Sequence, residues 1–165
     1  LAPLARGDAG ENPYTLHAQL QQSMNDLVGI IRKAGEIEEA LERLAELKSR
    51  VRNVAVEGHR QFNPGWHLAI DLHNMMLVSE CVARAALLRT ESRGGHTRED
   101  HPRMEAQWRR QLLVCALDGA DRTAVTVTSK QQEPMRSDLL ALFDLAELEK
   151  YYTEEELADH PGKKG

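Results

Sequence analysis

Cysteine is nearly absent: Cys81 and Cys115 are the only two in 165 residues, and neither belongs to a C-x-x-C pair. A structural zinc site built from several cysteines is excluded, and a reducing compartment is the simpler setting. Aromatic residues are scarce at 4%, so the core has to be built mainly from Leu, Val, Ile, Met and Ala, which favours helices over a sandwich. No apolar run approaches the roughly 18 residues a bilayer span requires. Excess positive charge is missing too. The net charge is -5, with Lys and Arg scattered among acids, which argues against nucleic-acid binding. The opening "LAPLARGDAG" lacks the basic start and apolar centre of a signal peptide and has no initiating Met. Residues 1–11 are expected to be a linker, and the chain a piece cut from a larger protein.

What is present is globular: 41% hydrophobic and 28% charged residues, enough for one domain with a continuous core. Asn12-Pro13 is a helix start signal, followed by Leu16, Leu20, Met24, Leu27, Val28 and Ile31 at helical spacing. Gly35 is expected to break this first helix. Ile37, Leu41, Leu44, Leu47 and Val51 carry a second, strongly amphipathic helix to about Asn53. After an extended connection, Val54 to Phe62, Asn63-Pro64 repeats the start signal. A third helix is expected from Gly65 to about Glu91, with Leu68, Leu72, Met75, Met76, Val82 and Ala86 on its apolar face.

Three such helices bury their stripes most easily as an antiparallel, spectrin-repeat-like bundle. Alternation in Leu112 to Leu117 and at Val125 and Val127 then predicts a small β-hairpin turning at Asp118-Gly119. The fold class is therefore mainly α: bundle and hairpin over residues 12–131, then a tail, 132–165. Leu139, Leu142, Leu145 and Leu148 suggest one terminal helix from Asp138 to Tyr151, with "HPGKKG" frayed.

The chemistry-bearing stretch is "RTESRGGHTREDHPR", Arg89 to Arg103, with four arginines, three carboxylates and two histidines around Gly94-Gly95. His96, Asp100 and His101 match no metal-ligand helix pair, and the neighbouring arginines disfavour a dication. His67 and His73 are six apart on a predicted helix and point away from each other. Ser92 lies in no nucleophile elbow and more simply satisfies backbone groups where the helix stops. The glycines do not form a phosphate loop, and a helix C-terminal reversal with positive φ suits them better. The arginines are either a solvated face or a rigid turn that presents Arg93, His96 and Arg98 outward to another domain.

"RTESRGGHTREDHP" resembles the S-R-G-A-H-x-R-x-D pattern near the C-terminus of the flavoprotein subunit of succinate dehydrogenase and fumarate reductase. The Asn12-Pro13 helix, "ALERLAELKSRVRN", "IDLHNMMLVSECVARAALLRTESRGGHTRED", Trp108 and the following hairpin keep the family's order over roughly residues 12 to 130. Gly95 stands where Ala is usual, "RMEAQ" is shorter and less acidic than is typical, and Gln111 replaces a common histidine. The tail from about Pro134 lies outside this resemblance and looks like a lineage-specific addition.

The resemblance implies a C-terminal structural and docking domain. In a full-length parent, FAD would sit in an upstream Rossmann-like domain, a capping domain would supply much of the dicarboxylate site, and succinate and fumarate would interconvert. Electrons would pass to an iron-sulfur subunit and then to quinone, at the cytoplasmic face of a bacterial inner membrane that membrane-anchor subunits provide. No catalytic, cofactor-binding or metal residue is expected in this chain. Arg93, His96, Arg98, Asp100 and Trp108 are the expected domain-interface residues: the arginines as donors, His96 fixing geometry and Asp100 orienting an arginine. The chain alone should fold without activity, and bared surface would favour its self-association. L-aspartate oxidase, which has a similar S-R-G-x-H element, is the alternative, but Arg98, Trp108 and the Val125 to Val127 strand favour the succinate/fumarate branch. A self-standing helical interaction module is the third reading.

Overall fold

The computed structural model describes residues 2–6, 9–118, 124–158 and 160, and among these it is mainly helical. The opening residues, expected as linker, begin with a one-turn helix, α1 (Ala2–Ala5). They are tied to the body of the domain: the Val56 N–H donates to the Pro3 carbonyl at 2.9 Å and Arg6 Nη1 donates to the Val54 carbonyl at 2.8 Å. Gly10 permits the approach, since a Cβ there would lie 2.4 Å from Ala55 Cβ and 2.6 Å from the Asn53 carbonyl oxygen.

Helix α2 (Pro13–Leu27) starts as its sequence signal requires: Asn12 Oδ1 accepts the Tyr14 N–H at 2.8 Å, and Pro13 fills the first turn. It ends before Ile31, because Gly29 and the β-branched pair Ile30-Ile31 weaken a helix there. Ile31 and Arg32 instead form β1 (Ile31–Arg32), and Ile31 is 63% exposed, outside the core. Gly35 breaks nothing; it sits in the first turn of α3 (Ala34–Val51). Helix α4 (Pro64–Leu88) is capped by Asn63, whose Oδ1 accepts the Trp66 N–H at 3.1 Å while its Nδ2 donates to the Glu57 and His59 carbonyls. Asn63→Ala is expected to cost about 1 kcal/mol or somewhat more, read as a lower urea midpoint at constant slope.

α2, α3 and α4 pack pairwise around one core. Leu16 and Leu20 from α2, Ile37, Leu44 and Leu47 from α3, and Leu72 and Met76 from α4 are its buried centre. Val82, expected on the core face of α4, is 44% exposed; Ala86 is buried as expected, and the neighbouring Ala83 is buried in place of Val82. Truncating a fully buried leucine, Leu72→Ala, is expected to cost about 2–5 kcal/mol, measured by urea unfolding. Glu80 joins α4 to α3: Lys48 Nζ donates to it at 2.7 Å and Arg84 Nε at 2.8 Å. Burial pushes its carboxyl up, but those two donors outweigh burial and hold it below its ordinary value.

β2 (Thr97–Arg98) pairs in parallel with β1, Ile31 opposite Thr97 and Arg32 opposite Arg98. After the short α5 (Ala106–Arg109), β3 (Gln111–Asp118) and β4 (Ala124–Gln131) pair antiparallel, with Cys115 opposite Val127, and lean on α4. The turn expected from Asp118-Gly119 onward lies, beyond Asp118, outside the described residues. The single terminal helix is replaced by α6 (Ser137–Leu140) and α7 (Leu145–Leu148). Asp144 takes extended backbone and restarts the chain, Leu139 and Leu142 stay exposed, and Leu148 and Leu157 are buried. A helix that can bury only part of its leucine stripe gains too little packing to remain continuous. Of the residues expected to fray, His160 is buried, and 161–165 lie outside the described residues.

Candidate functional site

The candidate site is the turn from Arg89 to Arg103. α4 stops at Leu88, three residues before the expected Glu91, because Arg89 adopts extended backbone at φ -80°, ψ 99°. A helix end leaves carbonyls without intrahelical partners, and here Arg98 supplies them. Its Nη1 donates to the carbonyls of Ala86 at 2.8 Å, Leu87 at 3.0 Å and Arg89 at 3.3 Å. Its Nε and Nη2 each donate to an Asp100 oxygen at 2.7 Å, the paired geometry only a guanidinium offers.

Asp100 acts at the other end. Lys33, which precedes α3, makes no side-chain cap, and Asp100 Oδ2 accepts the Ala34 N–H at 3.0 Å in its place. The Arg98 guanidinium, and then the Ala34 N–H, hold the Asp100 carboxyl well below the usual carboxylate range. The Arg98–Asp100 pair thus puts positive charge on the C-terminus of one helix and negative charge on the N-terminus of another, the favourable sense at both. The sequence reading turned Arg98 outward to a neighbouring domain; the structure turns it inward, 1% exposed, because the unsatisfied carbonyls of α4 lie inside.

His96 is held between arginines. Arg32 Nη1 lies 3.0 Å from Nδ1, and the Arg89 carbonyl lies 3.1 Å from Nε2. A guanidinium can only donate, so Nδ1 accepts and Nε2 carries the proton. Both ring nitrogens are therefore engaged within the chain. Burial disfavours the imidazolium and pulls His96 below its ordinary value of 6.5; the Arg89 carbonyl opposes this, and the charges of Arg32, Arg89 and Arg98 reinforce it. An unfolded chain binds this proton at higher pH than the folded one, so stability is complete above about 6.5 and falls as pH drops below it. Urea midpoints between pH 7.5 and 5 are expected to decline with acid. His96→Gln should flatten the curve, with His73, shifted in the same direction, accounting for a remainder.

Ser92 staples the turn: its Oγ accepts the Arg98 N–H at 2.8 Å and lies 2.8 Å from the His101 carbonyl oxygen. Gly94, at φ +59°, closes the reversal in which the Arg93 and His96 backbones exchange hydrogen bonds of 2.8 and 3.1 Å. The glycines therefore make a separate tight turn beyond the helix end, in place of the expected helix C-terminal reversal.

Glu91 has no individual role in the sequence reading, yet it is the most buried carboxylate here, at 0% exposure. It accepts from Arg89 Nε at 2.9 Å, Arg93 Nε at 3.1 Å and the Glu105 N–H at 2.9 Å. In an extended chain, residues two apart share a side, so Arg89-x-Glu91-x-Arg93 was the available signal once the helix is ended at Leu88. Arg93 continues to the tail, donating to the Tyr151 carbonyl and pairing with Glu156 at 3.7 Å. Trp108 sits under the Arg89 guanidinium, 5.6 Å from Cζ to ring centroid, and donates Nε1–H to Thr90 Oγ1 at 3.0 Å. The structure thus brings Arg93, His96, Arg98, Asp100 and Trp108 into one network, with Arg32, Ala34, Glu91 and Glu105 as the partners that sequence reasoning missed.

The β1–α3 junction, where a strand runs into a long helix, has its Ala34 N–H taken by Asp100. The geometry defines a helical structural domain whose charged turn locks its own elements together.

Its family is established by comparison: the chain belongs to the fumarate reductase flavoprotein C-terminal family, whose model matches residues 17–147. The fumarate reductase flavoprotein subunit of Helicobacter pylori (strain J99) is 30% identical over 138 residues, 82% of this chain and 19% of that protein. A chain of the Mycobacterium smegmatis Sdh1 complex matches with a TM-score of 0.84 and 66% identity, over 98% of this chain and 27% of that one. L-aspartate oxidase of Acinetobacter baylyi is 35% identical over 109 residues, 65% of this chain and 20% of that protein. The chain therefore spans between 19% and 27% of these relatives' lengths. The family match also passes residue 130 and reaches residue 147, so the first part of the tail is shared with the family and not added outside it.

Proposed function

We propose that this chain is the C-terminal structural and docking domain of a succinate dehydrogenase- or fumarate reductase-type flavoprotein subunit. The observation that carries the reading is the 66% identity to a chain of the Sdh1 complex over 98% of this chain. In the complete polypeptide, upstream domains would hold FAD, which would supply the redox chemistry that interconverts succinate and fumarate, with an iron-sulfur subunit and membrane-anchor subunits as partners. The complex would lie at the cytoplasmic face of a bacterial inner membrane; no helix among the described residues is long and apolar enough to cross it. The L-aspartate oxidase alternative has a match of lower coverage, and the third reading, a self-standing module, is disfavoured by the short span of the relatives that the chain occupies.

On this reading the three long helices form an antiparallel bundle and the Arg89–Arg103 turn is its internal latch. Arg98 and Asp100 fix α3 against α4, His96 fixes β1, and Arg93 and Trp108 hold the tail and α5. The docking face toward the flavin-bearing part would then be the apolar ground the latch leaves exposed on α4, Ile70, Val78 and Val82, beside an open groove of about 570 Å³ between α2 and α4. Left bare, that face would favour self-association of the isolated chain. The test is direct: the complete polypeptide, loaded with FAD, is assayed with succinate and with L-aspartate, and residues 1–165 are assayed alone. Succinate oxidation by the complete polypeptide and neither flavin nor turnover in the isolated chain are expected. Oxidation of L-aspartate in preference to succinate, or flavin retained by the isolated chain, would overturn the proposal.

A further inference from the structure

Cys81 and Cys115 are 34 residues apart in sequence, and the fold sets them against each other where the hairpin leans on α4. Cys115 Sγ lies 3.8 Å from the Cys81 carbonyl oxygen. Cys115 is exposed while Cys81 is half-buried, and neither takes part in the latch. Burial pushes the Cys81 thiol above its ordinary value, and the neighbouring Cys115 sulfur pushes it further. That ordering suits a pair in which the open sulfur reacts first and the sheltered one resolves it.

We propose that Cys81 and Cys115 form a reversible intramolecular disulfide site, closed by hydrogen peroxide and opened by low-molecular-weight thiols. The Cys115 thiolate attacks one peroxide oxygen; the O–O bond breaks, a sulfenic acid forms, and hydroxide takes up a proton and leaves as water. The Cys81 thiolate then attacks the sulfenic sulfur, the S–S bond forms, the S–O bond breaks, and the second hydroxide leaves as water with a proton. Two thiols and one peroxide become one disulfide and two waters: both sulfurs are oxidised and both peroxide oxygens reduced. The closed loop encloses the whole Arg89–Arg103 turn together with α5, so oxidation fastens the latch region and the hairpin to α4 at once. Closing a loop of this length restricts the unfolded chain. In a reducing compartment the pair rests as dithiol and closes under oxidant.

The test uses the native polypeptide that carries this chain. It is reduced, treated with a small molar excess of hydrogen peroxide, blocked, digested and mapped by mass spectrometry without reductant. The expected product joins the Cys81 and Cys115 peptides, two hydrogens lighter than their sum, and disappears with dithiothreitol. C81S should leave a sulfenic acid on Cys115 that a dimedone-type probe traps. C115S should lower peroxide modification of Cys81 by about tenfold, since the exposed thiol is the one peroxide reaches. Over-oxidation of Cys115 with Cys81 still free and no joined peptide would overturn the proposal, as would Cys115 joined only between molecules.

Discussion

Arg98→Ala is expected to destabilise the domain by about 3–5 kcal/mol, the range for breaking a buried ion pair by removing one partner. The value follows from what the deletion leaves behind. The carbonyls of Ala86 and Leu87 at the end of α4 lose their side-chain donor inside the protein, that of Arg89 keeps only His96 Nε2, and Asp100 keeps a charge with only backbone N–H groups to hold it. Arg98→Lys should recover only part of the loss, because one ammonium cannot face both Asp100 oxygens and the helix carbonyls together. Urea unfolding of wild type and both variants checks the order wild type, then Lys, then Ala. Equal midpoints for all three would refute it.

Glu91→Ala is the second large effect, about 3 kcal/mol or more by the same reasoning. It removes the common acceptor of Arg89, Arg93 and the Glu105 N–H, and leaves two guanidinium groups to repel each other in a partly buried place. Its signature differs from that of Arg98→Ala. Arg93 also holds the tail at Tyr151 and Glu156, so loosening it should speed hydrogen exchange through the segment around Leu148 and Leu157 more than in the centre of α3. Exchange that speeds equally in both would show that Glu91 does not act through Arg93.

The helices were legible because capping and periodicity are local. Asn12-Pro13 and Asn63-Pro64 name their helix starts by chemistry that needs no tertiary partner, and the stripe from Ile37 to Val51 repeats at 3.6 residues. Ends were less legible, since they are decided by what waits beyond them. Ile31 fits the apolar spacing of α2, but β2, 66 residues further along at Thr97, recruits it into a strand. α4 stops at Leu88 because Arg98 satisfies the carbonyls left open there. The members of the charged turn were visible as residues, and their direction was not. Arg98 looked like an outward donor because an arginine is seldom fully buried, and only the meeting of two helix ends makes the inside the better place for it. The leucines of the tail misled in the opposite way: helical spacing is necessary for a helix and gives no surface for it to cover.

The most direct measurement is Arg98→Ala made twice, once in residues 1–165 and once in the complete flavoprotein. If the turn is a latch, the isolated chain loses about 3–5 kcal/mol of unfolding free energy, and succinate turnover per bound flavin in the complete protein stays at the wild-type value. An isolated chain as stable as wild type, together with a turnover per bound flavin that falls tenfold or more, would make the turn part of the reaction and contradict the latch.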